Sequence, residues 1–283
     1  MPWVIVVPGL LLAVAMHIAA PIAGGWYAFT NWNGIGAAKW VGLGNFREIV
    51  HTHDVRESLV HTLELAGVFV VVVNVVGIGL ALGLNRIVKS RHLLRAIFFL
   101  PFVMSPLATA YIWHYIFDYN GPLNQLLGLL GLDSWKHLWL ADPHWALWVI
   151  LVVMVWQYGG LAMVLYLAGL QSIPDELYEA AAVDGAPAWL TFRRLTFPLL
   201  APAFTISATL TLIFGLRAFD QVLALTGGGP GNATQTLATE FFTQTFFNGR
   251  FGFGAAIALI LTLLIMVMAI LQVTILRRRE ARI

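Results

Sequence analysis

Cysteine is absent from this chain of 283 residues, which excludes disulfides and thiolate metal sites and leaves the redox compartment unmarked. Charge is also scarce. Asp, Glu, Lys and Arg make up 11% of the residues against 59% hydrophobic ones, and the mean hydropathy is +0.81. A soluble domain of this length needs more polar surface than that. The lysines are Lys39, Lys89 and Lys136, preceded by Ala38, Val88 and Trp135. A phosphate-binding Walker A loop needs glycine before its lysine, so Gly227, Gly228 and Gly229 form no such loop and read as a tight outer turn. No His is followed by Glu and no Ser lies two residues after a Gly, which removes the HExxH and GxSxG signatures of an intramembrane enzyme. A basic stripe is missing as well; the net charge of +2 leaves no nucleic-acid footprint.

What the chain does contain is six long apolar runs: Met1 to Ala38, Leu65 to Asn85, Ala96 to Phe117, Pro143 to Pro174, Leu195 to Leu216 and Phe251 to Leu276. Each supplies the roughly 20 apolar residues that span a bilayer as a helix. The alternation of a membrane β-barrel is not there. The expectation is an all-α, polytopic membrane protein with six transmembrane helices. The first run has no basic start and exceeds a signal core in length, so a retained helix is expected. Basic residues set the orientation. Arg86, Lys89, Arg91, Arg95, Arg193, Arg194, Arg277, Arg278, Arg279 and Arg282 put ten on one side; Lys39, Arg47, Arg56, Lys136 and Arg250 put five on the other. The positive-inside rule then places both termini in the cytoplasm.

Among the outer loops, Asn31 to Val50 is rich in Gly and Trp, and Trp26, Trp32 and Trp40 read as an interfacial aromatic belt. His51, His53 and His61 near Asp54 read as a solvated loop in preference to a metal cluster. An inner segment stands out between the fourth and fifth runs: Glu179 to Pro198, EAAAVDGAPAWLTFRRLTFP. Ser172 and Asp175 form a capping-box-like pair, with Pro174 tolerated in the first turn, so a helix is expected to begin there and to end at Gly185. Ala180, Ala181 and Ala182 give it a thin face that a partner can approach closely. Gly185 and Pro187 then fix a bend before a second helix carrying Arg193 and Arg194. An ordinary interfacial amphipathic helix accounts for the alanines and arginines but not for the spacing from Glu179 through Gly185 to Pro198.

That spacing resembles the cytoplasmic EAA loop of permease subunits in ATP-binding-cassette importers, with Glu179, Ala180, Ala181, Gly185 and Pro198 at its defining positions and Leu195 and Phe197 at its aliphatic ones. The third run, with Pro101, Trp113, Gly121 and Asn124, the loop LTGGGPGNAT from Leu225 to Thr234, and FGFGAAIAL from Phe251 to Leu259 are similar to the carbohydrate-uptake, or maltose-type, branch. The resemblance implies a single transmembrane permease domain over residues 1–283 with the type I importer fold, and a coupling loop at about 172–198. It implies a bacterial or archaeal inner-membrane location and partners: a second homologous permease, two ATPase subunits that bind the ATP and Mg, and an extracytoplasmic solute-binding protein. This chain would be half of the pathway, with no catalytic, cofactor or metal site of its own. Contact with the ATPase falls on Tyr178, Glu179, Ala180, Ala181, Asp184, Gly185 and Ala186.

The implied solute is a di- or oligosaccharide. By the same resemblance its contacts fall on Gln157 and Tyr158 before the loop and on Thr211, Gly215, Arg217 and Ala218 after it. Helix packing is the alternative for each. Arg217 and Asp220, three apart, can form an interfacial ion pair or contact solute. Trp113, His114, Tyr115 and Asn74 are divided in the same way between cavity and packing. A glycerol-phosphate-type solute is the alternative cargo. An ion-coupled secondary transporter is the alternative class, though it calls for internal symmetry and midplane charges that the sequence does not display.

Overall fold

The computed structural model describes residues 3–85 and 90–280. Arg86, Lys89 and Arg282, three of the ten basic residues expected on the cytoplasmic side, lie outside the described residues. Among those described, the chain is helical, and Thr30 and Trp40 form an isolated antiparallel bridge. Helix α1 is Val6–Tyr27, with a π-helical turn at Ala15–Ala19. It is followed by α2, Gly44–His51, and α3, His53–Asn85. Next come α4, Arg91–Val103, α5, Pro106–Phe117, α6, Pro122–Leu129, and α7, Ala146–Gln171. The segment after α7 holds α8, Asp175–Val183, and α9, Ala188–Leu199. The rest is α10, Ala201–Leu216, α11, Asp220–Leu225, α12, Leu237–Phe242, and α13, Phe251–Glu280.

Helices α1, α3, α7 and α13 are each long and apolar enough to cross a membrane alone, and the count becomes six when two bent pairs are each taken as one span. The expected third and fifth spans are those pairs, and neither is straight. Between α4 and the stretch Pro106–Leu129, which holds α5 and α6, the chain turns by 100°. Pro106 disfavours helical backbone at the residue before it, and Ser105 is extended at φ −63°, ψ 142°. Ser105 then caps α5 by accepting from the Ala108 N–H at 3.2 Å. The second pair, α9 and α10, bends by 66° around Leu200, with Pro198 and Pro202 on either side.

The chain divides into two compact units, Met1–Val60 with Gln235–Leu264, and His61–Thr234 with Ile265–Ile283. In the first, Ala28, Ile49, Val55, Leu237, Phe253, Ala256 and Ile257 form a buried cluster. The loop after α1 is tied down by Asn45, whose Nδ2 donates to the carbonyls of Ala28 and Thr30, both at 2.8 Å. The aromatic belt is an interlocked set: Trp26 and Trp40 lie 4.8 Å apart, and Phe29 stacks on Trp40 at 5.3 Å.

The second unit packs around α7, of whose most apolar stretch 61% is buried. Leu65, Phe69 and Val73 of α3 meet Ile150, Met154, Met163 and Tyr166 of α7 in its core. Lipid is as apolar as these side chains, so the hydrophobic effect cannot hold such helices together; close packing and buried polar contacts must do so. The main polar contact is Asn74. Its Oδ1 accepts from Tyr166 OH at 2.6 Å and Ser207 Oγ at 2.7 Å, and its Nδ2 donates to Thr211 Oγ1 at 3.0 Å. One amide thus joins α3, α7 and α10, so of the two readings of Asn74 the structure shows the packing one.

Candidate functional site

The EAA segment starts where α7 ends. Ser172 turns back: its Oγ donates to the Gly169 carbonyl at 2.8 Å, so the expected capping box at the start of α8 does not form. Pro174 occupies the N-cap position without a side-chain cap, and Asp175 and Glu176 in the first turn complement the helix dipole instead. The C-terminus is as expected. Gly185 has φ +70°, a conformation glycine adopts without strain. Its N–H bonds the Ala182 carbonyl at 3.1 Å while the Ala186 N–H bonds Ala181 at 3.0 Å, a Schellman motif that closes the helix.

Helix α8 buries none of its residues. Tyr178 is half-buried against the core of the second unit and shares a 3.3 Å hydrogen bond with Thr196. Ala181 and Ala186 are partly covered; Glu179, Ala180, Asp184 and Gly185 are exposed. Nearby apolar side chains lie open too, Val183 at 88% and Trp189 at 68% exposure. Arg193 and Arg194 sit in a π-helical turn, Phe192–Thr196, with both side chains exposed. A charged loop with uncovered Val and Trp beside a strip of alanines has the character of a contact surface.

Gln157 and Tyr158 come together with a residue that the sequence reading missed. Gln221 Nε2 donates to Gln157 Oε1 at 3.0 Å and lies 3.4 Å from Tyr158 OH. Gln157 itself is 1% exposed, and its Nε2 donates at 3.1 Å to the carbonyl of Met104, freed by the α4–α5 break. A broken backbone at membrane depth needs such a partner. The Tyr158 ring stacks on Phe214 at 4.9 Å. Gln221 was findable as an uncharged polar residue directly after the Arg217–Asp220 stretch.

Thr211 is buried at 1% exposure in the Asn74 cluster. Gly215 lies against α3, where a Cβ would fall 2.8 Å from the Ala66 Cα. Ala218 is buried at 2% exposure. Arg217 and Asp220 are exposed, and among the described residues they form no ion pair with each other, contrary to one of the two readings of the sequence. The reason is local: α10 stops at Leu216, Arg217 is its C-cap, and Asp220 opens the separate helix α11, so the helical spacing of three does not apply. Trp113 packs on Phe117 and Trp156. The glycine loop is the turn expected, with Gly227 at φ 61° and Gly228 at φ 90°, closed by a 2.7 Å Thr226–Thr234 hydroxyl contact. His53, Asp54 and Glu57 approach one another on the surface.

The model of the family described as binding-protein-dependent transport system inner membrane component matches residues 73–281. A probable starch degradation products transport system permease protein of Thermoanaerobacterium thermosulfurigenes is 35% identical over 98% of this chain and 94% of its own length. A trehalose/maltose transport system permease protein of Thermococcus litoralis is 33% identical over 96% and 92%. A multiple sugar-binding transport system permease protein of Streptococcus mutans is 34% identical over 98% and 96%. Among solved structures, a chain of a bacterial ABC transporter involved in import of the acidic polysaccharide alginate superposes with a TM-score of 0.85 at 22% identity, covering 98% of this chain and 94% of that one. The six-span, all-α permease fold expected from the sequence is therefore the fold of this chain, which belongs to the family of inner membrane components of binding-protein-dependent transport systems.

Proposed function

We infer that this chain is a permease subunit of an ATP-driven importer for a di- or oligosaccharide, working as one permease domain with both termini in the cytoplasm. The relatives named for starch products, trehalose/maltose and multiple sugars support the solute class. A second permease completes the pathway, two ATPase subunits supply the ATP and Mg site, and a solute-binding protein delivers cargo. The observation that carries this reading is α8: a helix with no buried residue, ended by a Schellman glycine, with Val183 exposed in its last turn and Trp189 exposed just beyond. ATPase closure pushes α8 as a short lever, and Tyr178, bonded to Thr196 beside the α9–α10 break, carries the movement toward α10. Cargo passes the exposed Arg217–Asp220 end of α10, while the buried Gln157–Gln221 contact holds the α4–α5 break in place behind it.

The test is to tag the chain, solubilise its native membranes gently and identify what co-purifies by mass spectrometry. A homologous permease and a soluble ATPase are expected. Reproducible recovery of the chain alone would contradict the assembly and favour an ion-coupled carrier.

A further inference from the structure

The first compact unit holds an open cleft, lined by polar and apolar groups together, that the transport reading leaves unused. It offers about 410 Å³ of partly open space between the Asn31–Asn33 stretch, α2 and the start of α13, a volume within the range of small-molecule sites. Six of its side chains define its chemistry: Asn31, Trp32, Asn33, Glu48, Arg250 and Phe253.

These groups are held in place. The Arg250 guanidinium donates to Glu48 Oε1 at 2.6 Å and lies 4.1 Å from the centre of the Phe253 ring, while its backbone N–H bonds the Gln244 carbonyl at 2.8 Å. Trp32 stacks on Tyr27 at 4.5 Å and donates its Nε1–H to the Gly36 carbonyl at 3.1 Å. Asn31 and Asn33 use their Oδ1 atoms to accept the Lys39 and Ile35 N–H groups at 3.1 and 3.2 Å. Their Nδ2 donors have no protein partner among the described residues.

The charges decide the class of ligand. One carboxylate and one guanidinium neutralise each other, so an anion meets Glu48 and a cation meets Arg250. A neutral ligand that both donates and accepts hydrogen bonds and offers apolar C–H faces suits amide donors, a carboxylate acceptor and the partly exposed Trp32 ring. We propose that this cavity is a subsite for one neutral sugar ring of an oligosaccharide on the outer side of the permease, a proposal that rests on the sugar-importer reading.

The test uses the assembled importer in nanodiscs without its solute-binding protein, with maltotriose as neutral probe and an alginate trisaccharide as acidic control, read by titration calorimetry and saturation-transfer NMR. The double variant Asn31→Asp/Asn33→Asp keeps both Oδ1 acceptors that hold the loop and removes both Nδ2 donors. Saturable maltotriose binding, stronger than that of the acidic probe, is expected in the wild type and about tenfold weaker in the double variant, the order set by two lost neutral hydrogen bonds. Asn33→Asp alone, the milder change, is expected to weaken it about threefold. Absence of saturable binding in the wild type, equal binding in the variants, or preference for the acidic probe overturns the subsite. Uptake of neutral oligosaccharides by the wild-type importer is measured alongside. Uptake of none of them sinks the sugar-importer reading itself, whereas uptake without binding at this cavity sinks only the subsite.

Discussion

Asn74 was legible in the sequence as an amide in an apolar run, a residue that must find partners or destabilise its helix. Its partners were not legible. Tyr166, Thr211 and Ser207 lie 92 to 137 residues away, and helix packing, not local pattern, sets which of them meet. Asn74→Leu leaves three hydroxyls to find new acceptors or donors, at a cost of about 1–3 kcal/mol. Thermal unfolding of the purified complex is expected to occur at lower temperature, and a double-mutant cycle with Tyr166→Phe should give a coupling of about 0.6 kcal/mol, the average for membrane interhelical bonds. An unchanged melting temperature would remove Asn74 as the tie. Arg217 calls for a different measurement. Exposed and without an acidic partner among the described residues, it is expected to touch solute: Arg217→Ala should raise the apparent KM for uptake several-fold with normal expression. An unchanged KM would take it off the pathway.

At the scale of elements, the ends of α8 separate what local sequence settles from what it does not. Gly185 was readable as a terminator because only a φ > 0 residue closes a Schellman motif easily. Ser172 was misread because a serine beside a helix junction can bond either helix, and here it bonds α7. The bends were hidden for a related reason. Hydropathy averages over Ser105–Pro106 and over Leu200, so a broken span and a straight one look alike by composition, although the prolines were in view. Gly185→Asp tests the element that matters most. Aspartate tolerates positive φ better than most residues, and a Cβ there meets no atom of this chain within 4 Å, so the membrane fold should persist. ATP hydrolysis is nevertheless expected to lose its dependence on solute-loaded binding protein, because a negative side chain would then occupy the proposed docking face. Normal coupling in that variant would relieve α8 of its role.

For the molecule as a whole, topology and coupling are one question. Composition made the membrane plain, and the EAA spacing made the inner loop plain, but the described residues carry only part of the basic inventory that orients the chain. The most apolar stretch of α1 is 0% buried and that of α13 is 22% buried, as befits helices that face lipid or another subunit. The natural absence of cysteine permits a direct test. Ala182→Cys on the exposed face of α8 places a single thiol in the chain, and crosslinking is carried out in inverted membrane vesicles containing the partner subunits. Labelling by an impermeant maleimide from the cytoplasmic side only is expected, together with a covalent adduct with an ATPase subunit whose yield changes on adding ATP. Labelling from the outer side only, or a fully reactive thiol that never joins an ATPase, would contradict the cytoplasmic coupling role of α8.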